Sequence, residues 1–279
     1  MHKAMRSART SRVVDNTDWL KVTAIIAVAI GHIGYFFIED DHWWGVLGRL
    51  GAPTLFFLMG YAQSRVVPFH WILLGVILTL LESWNADWTW VPTNVFFSFA
   101  LIRIARPYVQ FILQHYGWAA FALLVSALFL VLPIASPTVD YGAEGWLWAL
   151  FGLLHRMHVD SRSGPDVNDT AKTPAPLADS FAKSVEPMRL LACGIALVAY
   201  VWQEQKEFEF SQTQLAAVML SVGFLSACLC LFRRGPSRIQ PPETIARVLC
   251  FVGRHTLEIY AIQLAASELI KKLWPSLSP

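Results

Sequence analysis

Charge is scarce in this chain: 15% of its 279 residues are Asp, Glu, Lys or Arg and 55% are hydrophobic, whereas soluble domains carry about a quarter of charged residues. Such a composition excludes an ordinary water-soluble globule and describes an integral membrane protein. The net charge of +2 is small and scattered, and no basic patch alternates with stacking aromatics, so nucleic acid is excluded as a partner. Cysteine is also rare. Cys193, Cys228, Cys230 and Cys250 all sit in apolar stretches, where a thiol packs as a small hydrophobe. Cys228 and Cys230, two apart, point about 200° from each other on a helix and cannot share an ion. Neither a disulfide framework nor a metal site is expected. Internal repeats are absent, as are the Pro- and Gly-interrupted segments in matched halves that mark repeat-built transporters.

Long apolar runs are abundant. Crossing about 30 Å of hydrocarbon takes roughly 20 residues as a helix, and segments of that order fall near 17–38, 46–64, 67–84, 89–106, 117–136, 141–158, 188–204, 213–232 and 247–270. The expected fold is therefore all-α, a polytopic transmembrane helix bundle of nine helices, with ten as the alternative. Trp residues at segment ends, among them Trp43, Trp44, Trp84, Trp88, Trp90, Trp146, Trp148, Trp202 and Trp274, suit the headgroup level. The basic start precedes an apolar run too long, and too lacking in a small-residue cleavage site, for a removable leader, so this segment is expected to be retained.

Loop charges alternate. Basic residues stand at the start (Lys3, Arg6, Arg9, Arg12), at Arg65, at Arg103 and Arg106, between Arg156 and Arg189, and at Arg233, Arg234 and Arg238. Acids dominate the loops between them: Glu39, Asp40 and Asp41, Glu82 and Asp87, Asp140 and Glu144, then Glu204, Glu207 and Glu209 around Lys206. Because Lys and Arg favour the cytoplasmic side, the start is expected inside and the end outside, in a plasma membrane of bacterial inner-membrane type. Lys271 and Lys272 break the pattern, which suggests a re-entrant last helix or a short helix not counted. The whole chain, 1–279, reads as one transmembrane domain. Within it 159–187, rich in Pro, Ser, Asp and Ala, reads as a flexible cytoplasmic loop.

Lys21 and His32 are the most informative pair. Eleven steps of about 100° and 1.5 Å make three turns plus roughly 20°, which places both on one helix face about 16 Å apart. A histidine at that depth is either satisfied by a neighbouring helix or available as a base, and Gly31 and Gly34 beside it allow a ligand or helix to come close. Lys21 is either a snorkelling anchor, with Asp18 as a partner one turn earlier, or a holder of an anionic co-substrate. Arg49, at the outer end of the second segment, is either an interfacial anchor or a charge that stabilises an oxyanion in a dry site. Glu258, near the middle of the last segment with Arg254 and His255 on its face, is either a packing ion pair or a functional carboxylate. Asn94 and Glu82 complete the candidate intramembrane polar groups.

The stretches Asp18-Trp19-Leu20-Lys21 through Gly31-His32-Ile33-Gly34, Arg49-Leu50-Gly51-Ala52-Pro53 followed by Phe56-Phe57-Leu58-Met59-Gly60, Asn94-Val95-Phe96-Phe97, and Gly253-Arg254-His255-Thr256-Leu257-Glu258-Ile259-Tyr260 together resemble membrane acyltransferases of the acyltransferase-3 type. The TraX-like proteins that acetylate pilin are the closer match, having Lys for the family's Arg before the histidine. Two positions depart from the pattern: Gly31 stands where TraX-like proteins often carry an acid, and Gln263 where the family has a late histidine. The resemblance implies acyl transfer, foremost acetyl from cytoplasmic acetyl-CoA, to a glycan, lipid or peptide amine, with membrane lipids as surroundings and a homodimer left open. Lys21, Arg103, Arg106 and Arg254 would hold the phosphates of CoA, His32 would act as base or carry the acyl group, and Arg49 or Asn94 would stabilise the oxyanion, with Glu258 a further catalytic candidate. A small proton-coupled transporter, using Glu258 and His32 as a relay, is the alternative.

Overall fold

The computed structural model describes residues 13–38, 41–88, 92–135, 138–162 and 175–273. It is all-helical, with no strand among the described residues: α1 (Asn16–Phe37), α2 (His42–Gly48), α3 (Gly51–Tyr61), α4 (Phe69–Asn85), α5 (Val95–Ala135), α6 (Gly142–Arg162), α7 (Ala175–Phe208), α8 (Gln212–Leu231), α9 (Glu243–Arg254) and α10 (Thr256–Leu273). Four of these contain segments long and apolar enough to cross a membrane, Asn16–Phe37, Val95–Ala135, Lys183–Phe208 and Gln212–Leu231; Phe69–Asn85 is apolar but shorter. The exposure of Leu80, Leu123, Leu130, Leu220, Phe224 and Leu231 belongs to the same picture, since apolar side chains on the outside of such helices suit hydrocarbon surroundings.

Helix starts follow their caps. Asp15 accepts from the Thr17 N–H, and Asp18 accepts from the Asp15 N–H at 3.1 Å, which closes a capping box on α1. Asp18 therefore serves the helix start; its charge still acts on Lys21 one turn on, as the spacing suggested, without closing to an ion-pair contact. Ser211 and Gln214 form the same device on α8.

Four expected segments do not form the single separate helices read from the sequence, for identifiable reasons. The segment 46–64 begins earlier and is split into α2 and α3 at Arg49 and Leu50. Pro53 has no N–H to donate to the carbonyl of Arg49, and that carbonyl accepts instead from the Tyr200 hydroxyl at 3.0 Å. The segments 89–106 and 117–136 belong to α5. Its first part begins at Val95 and runs on past 106 to Gly117, whose φ of 51° turns the chain before the second part. Segment 247–270 divides at His255 into an amphipathic α9 and the longer α10.

The discordant Lys271 and Lys272 close α10 at the acidic end of the bundle. There Lys272 Nζ lies 3.3 Å from Asp87 Oδ1, and Lys271 stands over the Phe36 ring. Of the stretch read as a loop, 159–162 continues α6 and 175–187 opens α7; helix formers such as Leu177, Ala178, Ala182 and Lys183 favour this. Residues 163–174, the start 1–12, Glu39, Asp40, Trp90 and Trp274 lie outside the described residues. Trp148, read as an interfacial anchor, is fully buried beside Phe151 and Tyr200.

The tightest crossing joins α3 to α6. A Cβ on Gly60 would run into the backbone of Ala149, and one on Gly152 into the carbonyl of Phe57. Small residues allow this approach. Gly152→Ala is expected to lower the detergent melting temperature markedly, because the collision is with backbone and costs on the order of 1–3 kcal/mol or more; an unchanged melting curve would show that the two helices part freely. A similar approach on α1, where a Cβ on Gly48 would meet Gly31 Cα at 2.5 Å, presses the end of α2 against the turn that carries His32.

Candidate functional site

Two polar cavities lie toward opposite ends of α1, and no residue lines both. The smaller, about 200 Å³, is at the basic end and is bordered by Lys21, Arg103, Arg234, Arg254 and Glu258 over an apolar floor that includes Leu55, Leu58 and Leu257. Lys21 reaches across to the carbonyl of Gly253, donating at 2.7 Å; Gly253 packs so closely on Asp18 that any Cβ there would collide with its carboxylate. Arg103 donates to the Val66 carbonyl at 2.7 Å while its guanidinium stacks 4.1 Å above Trp71. Arg234 is brought in by the loop after α8, which is tied to the start of α1 by Asn16 N–H to Gly235 O at 3.0 Å and by the Arg234–Asp15 pair at 3.6 Å. Four cations and one carboxylate thus line this cavity, with Asp15 and Asp18 close behind its wall.

The expected holders Lys21, Arg103 and Arg254 do meet here, and Arg234 joins them. Arg106 does not: it is buried and donates through Nε to the Gly60 carbonyl at 3.0 Å, tying α5 to the end of α3. Glu258 lines this cavity and pairs with His70 at 3.1 Å. It does not share a cavity with His32. The break at His255 places it in the first turn of α10, not in the middle of a long helix.

The larger cavity, about 480 Å³, holds His32 and Arg49. The His32 ring packs against Tyr260, with centroids 5.6 Å apart, and edge-on to Phe36; its Nδ1 is buried with no hydrogen-bond partner. Arg49 Nη1 is 2.5 Å from Glu204 Oε2, its Nε donates to the Gly45 carbonyl at 3.1 Å, and its guanidinium lies 4.0 Å above the Phe208 ring. This charge is therefore held by a buried partner and is no interfacial anchor.

Carboxylates dominate the remaining wall: Glu82, Asp140, Glu144, Glu204, Glu207 and Glu268, with Lys271 the second cation. Asp140, in the connection between α5 and α6, is pushed up to about 7 by burial and by the nearby Glu207 carboxylate. Asn94 is fully buried behind this wall. It donates from Nδ2 to Glu82 Oε1 at 2.9 Å and accepts weakly from the Phe96 N–H at 3.4 Å. It orients Glu82 and caps α5, and it does not line the cavity, where the oxyanion role suggested for it would have to be played.

Sequence reasoning assigned no site role to Glu204, Glu207, Glu268, Tyr260 or His70. Two signals were available. Glu204 and Glu207 are three apart and share a helix face, and Tyr260, Leu264 and Glu268 recur every four residues along α10. Among the described residues, no group of His, Cys, Asp and Glu has the arrangement of a metal site. Cys193 and Cys230 are free thiols in contact at 3.8 Å between α7 and α8, away from both cavities.

Fold and site define an all-helical, membrane-compatible bundle with a cationic cavity at one end and an acidic, histidine-bearing one at the other. Comparisons with family models, with curated proteins and with solved structures give no match.

Proposed function

We propose that the chain is an integral membrane acyltransferase. It takes an acyl group, foremost acetyl, from acyl-CoA at its basic end and transfers it to an acceptor in the acidic-end cavity. The observation that carries this reading is the unpartnered His32 in the wall of one cavity, with Lys21 in the wall of the other, on a single helix. The basic end is the cytoplasmic one by the preference of Lys and Arg for that side, and we place the protein in a bacterial inner membrane with its start inside.

The anionic phosphates of the donor suit Lys21, Arg103, Arg234 and Arg254, as point charges and guanidinium forks. Leu55 and Leu257 border the first cavity and Val28 and Tyr260 the second, so a thioester arm passing from one to the other would have to thread between apolar side chains while the nucleotide stays in water. His32 takes the proton of the acceptor nucleophile, and Arg49 stands where a developing oxyanion gains from a fixed cation. For the proton-coupled transporter, Glu258 and His32 would have to exchange a proton. Their separation into two cavities counts against a direct relay between them.

Purified protein in detergent, given labelled acetyl-CoA, is expected to release thiol and move label to an added acceptor. Uptake driven by pH in liposomes without thioester cleavage would overturn the proposal. Lys21→Ala is expected to weaken acyl-CoA binding about tenfold or more, the worth of a charge-assisted hydrogen bond, and to leave acceptor binding unchanged. Equal losses in titrations of both would remove Lys21 from the donor site.

A further inference from the structure

The acidic-end cavity is out of electrical balance. Six carboxylates line it, on α4 (Glu82), the α5–α6 connection (Asp140), α6 (Glu144), α7 (Glu204, Glu207) and α10 (Glu268), against two cations, Arg49 and Lys271. Arg49 is already taken by Glu204. The others have only neutral donors where they have any: Asn94 on Glu82, the Asn85 amide on Glu268, the Val95 N–H on Asp140 and the backbone N–H of Glu144 on its own carboxylate.

The carboxylates also follow one another around the wall. Glu82 has Asp140 and Glu268 as its charged neighbours, Asp140 has Glu207 and Glu144, and Glu207 has Glu204 and Arg49. Such a chain is unfavourable unless protons or cations separate its members. Two further atoms are incomplete in the same wall. His32 Nδ1 and Glu144 Oε2 are both buried without a hydrogen-bond partner, and Glu144 is only 5% exposed. Buried polar atoms of this kind call for an explanation, and a ligand with several N–H donors supplies one. Tyr35, Phe36 and Tyr260 complete the lining, and aromatic faces attract cations.

We propose that this cavity takes a flexible chain bearing two or more ammonium groups, an oligoamine, and that one of its nitrogens is the acyl acceptor. The second half of this proposal rests on the acyl-transfer reading; the first does not. A neutral hydroxyl acceptor would leave the surplus carboxylates unmatched, and a single ammonium would match one of them. Two or more ammonium groups spaced along a chain match the succession from Glu268 and Glu82 to Glu207 and Glu144, with His32 facing the same space.

In the reaction His32 Nδ1 takes one proton from the ammonium beside it, and the freed lone pair attacks the thioester carbonyl carbon. The C–N bond forms as the C–S bond breaks, and the departing thiolate takes a proton from the imidazolium. The nitrogen loses its second proton to solvent. The products are the amide, the free thiol and one proton.

The test is calorimetry on the full chain in detergent with spermidine, putrescine and butylamine, repeated in buffers of different ionisation enthalpy. Each added ammonium is expected to tighten binding about tenfold, and proton release is expected on binding, because carboxylates that share protons in the free protein ionise against the ligand. Butylamine binding as tightly as spermidine, or no saturable binding, would overturn the site. Glu207→Gln and Glu268→Gln each are expected to cost spermidine about tenfold and butylamine about twofold or less. An unchanged melting temperature and acyl-CoA affinity show that each variant is folded. Acetyl transfer to a neutral alcohol without oligoamine binding would overturn this inference and leave the acyltransferase standing. Saturable oligoamine binding without any thioester cleavage would remove the acylation step and the acyltransferase while keeping the cation site.

Discussion

His32→Ala is expected to reduce acyl transfer by about 10²–10⁴-fold, the usual contribution of a positioned acid–base group, without changing membrane insertion or the melting temperature appreciably. The two halves of this expectation have one cause. His32 Nδ1 makes no hydrogen bond within the protein, so truncation leaves no orphaned donor or acceptor behind, and what is lost is ring packing against Tyr260 and Phe36. Structural histidines in this chain look different. His155 is held by Arg189 at Nδ1 and by the Phe232 carbonyl at Nε2, at 3.0 and 2.7 Å, and its removal would leave the buried Phe232 carbonyl without this donor and Arg189 Nη1 with the Cys230 carbonyl alone. His155→Ala is therefore the informative comparison, lowering stability where His32→Ala lowers turnover. Near-normal turnover of the His32 variant in a single-turnover assay with labelled acetyl-CoA would remove the imidazole from catalysis.

The all-helical class was legible in the sequence because hydrocarbon imposes a length on apolar runs; among the described residues four helices contain segments that meet it, fewer than the nine crossings expected. Alternating loop charge then separated the two ends that the structure shows as basic and acidic. Where the reading missed, the reason was long-range. Pro53 announces a missing hydrogen bond, but whether the chain bends or breaks there depends on what serves the Arg49 carbonyl, and Tyr200 is 151 residues away. Glu258 reads as deep because it falls near the middle of the run 247–270, taken as one helix. The break at His255 divides that run and leaves the carboxylate in the first turn of α10, at the basic end. Lys21 and His32 were readable as a pair since α1 is continuous between them. That they border separate cavities was not, because the packing of α3 and α10 between those cavities is not written in α1.

Arg49 offers the sharpest separation of structure from chemistry. Its guanidinium and the Glu204 carboxylate are both about one-tenth exposed or less, and removing one member of a buried pair strands the other at a cost of about 3–5 kcal/mol. Glu204→Gln is thus expected to lower the detergent melting temperature by many degrees. The double variant Arg49→Met with Glu204→Leu, which removes both charges and keeps volume, is expected to recover most of that loss, since apolar replacements of buried pairs are often neutral or stabilising. Activity should part company with stability at this point. A cation aimed at the developing oxyanion is worth about 10²–10³-fold in turnover, so the refolded double variant remains slow. If it instead transfers label at the rate of the parent, Arg49 is a brace between α2 and α7, and the oxyanion must be met by another group in the cavity, with Lys271 the remaining cation in its wall. Lys271→Ala in the double-variant background then decides whether that charge has taken over: a further fall in turnover assigns it the role, and an unchanged rate leaves backbone donors as the source of stabilisation.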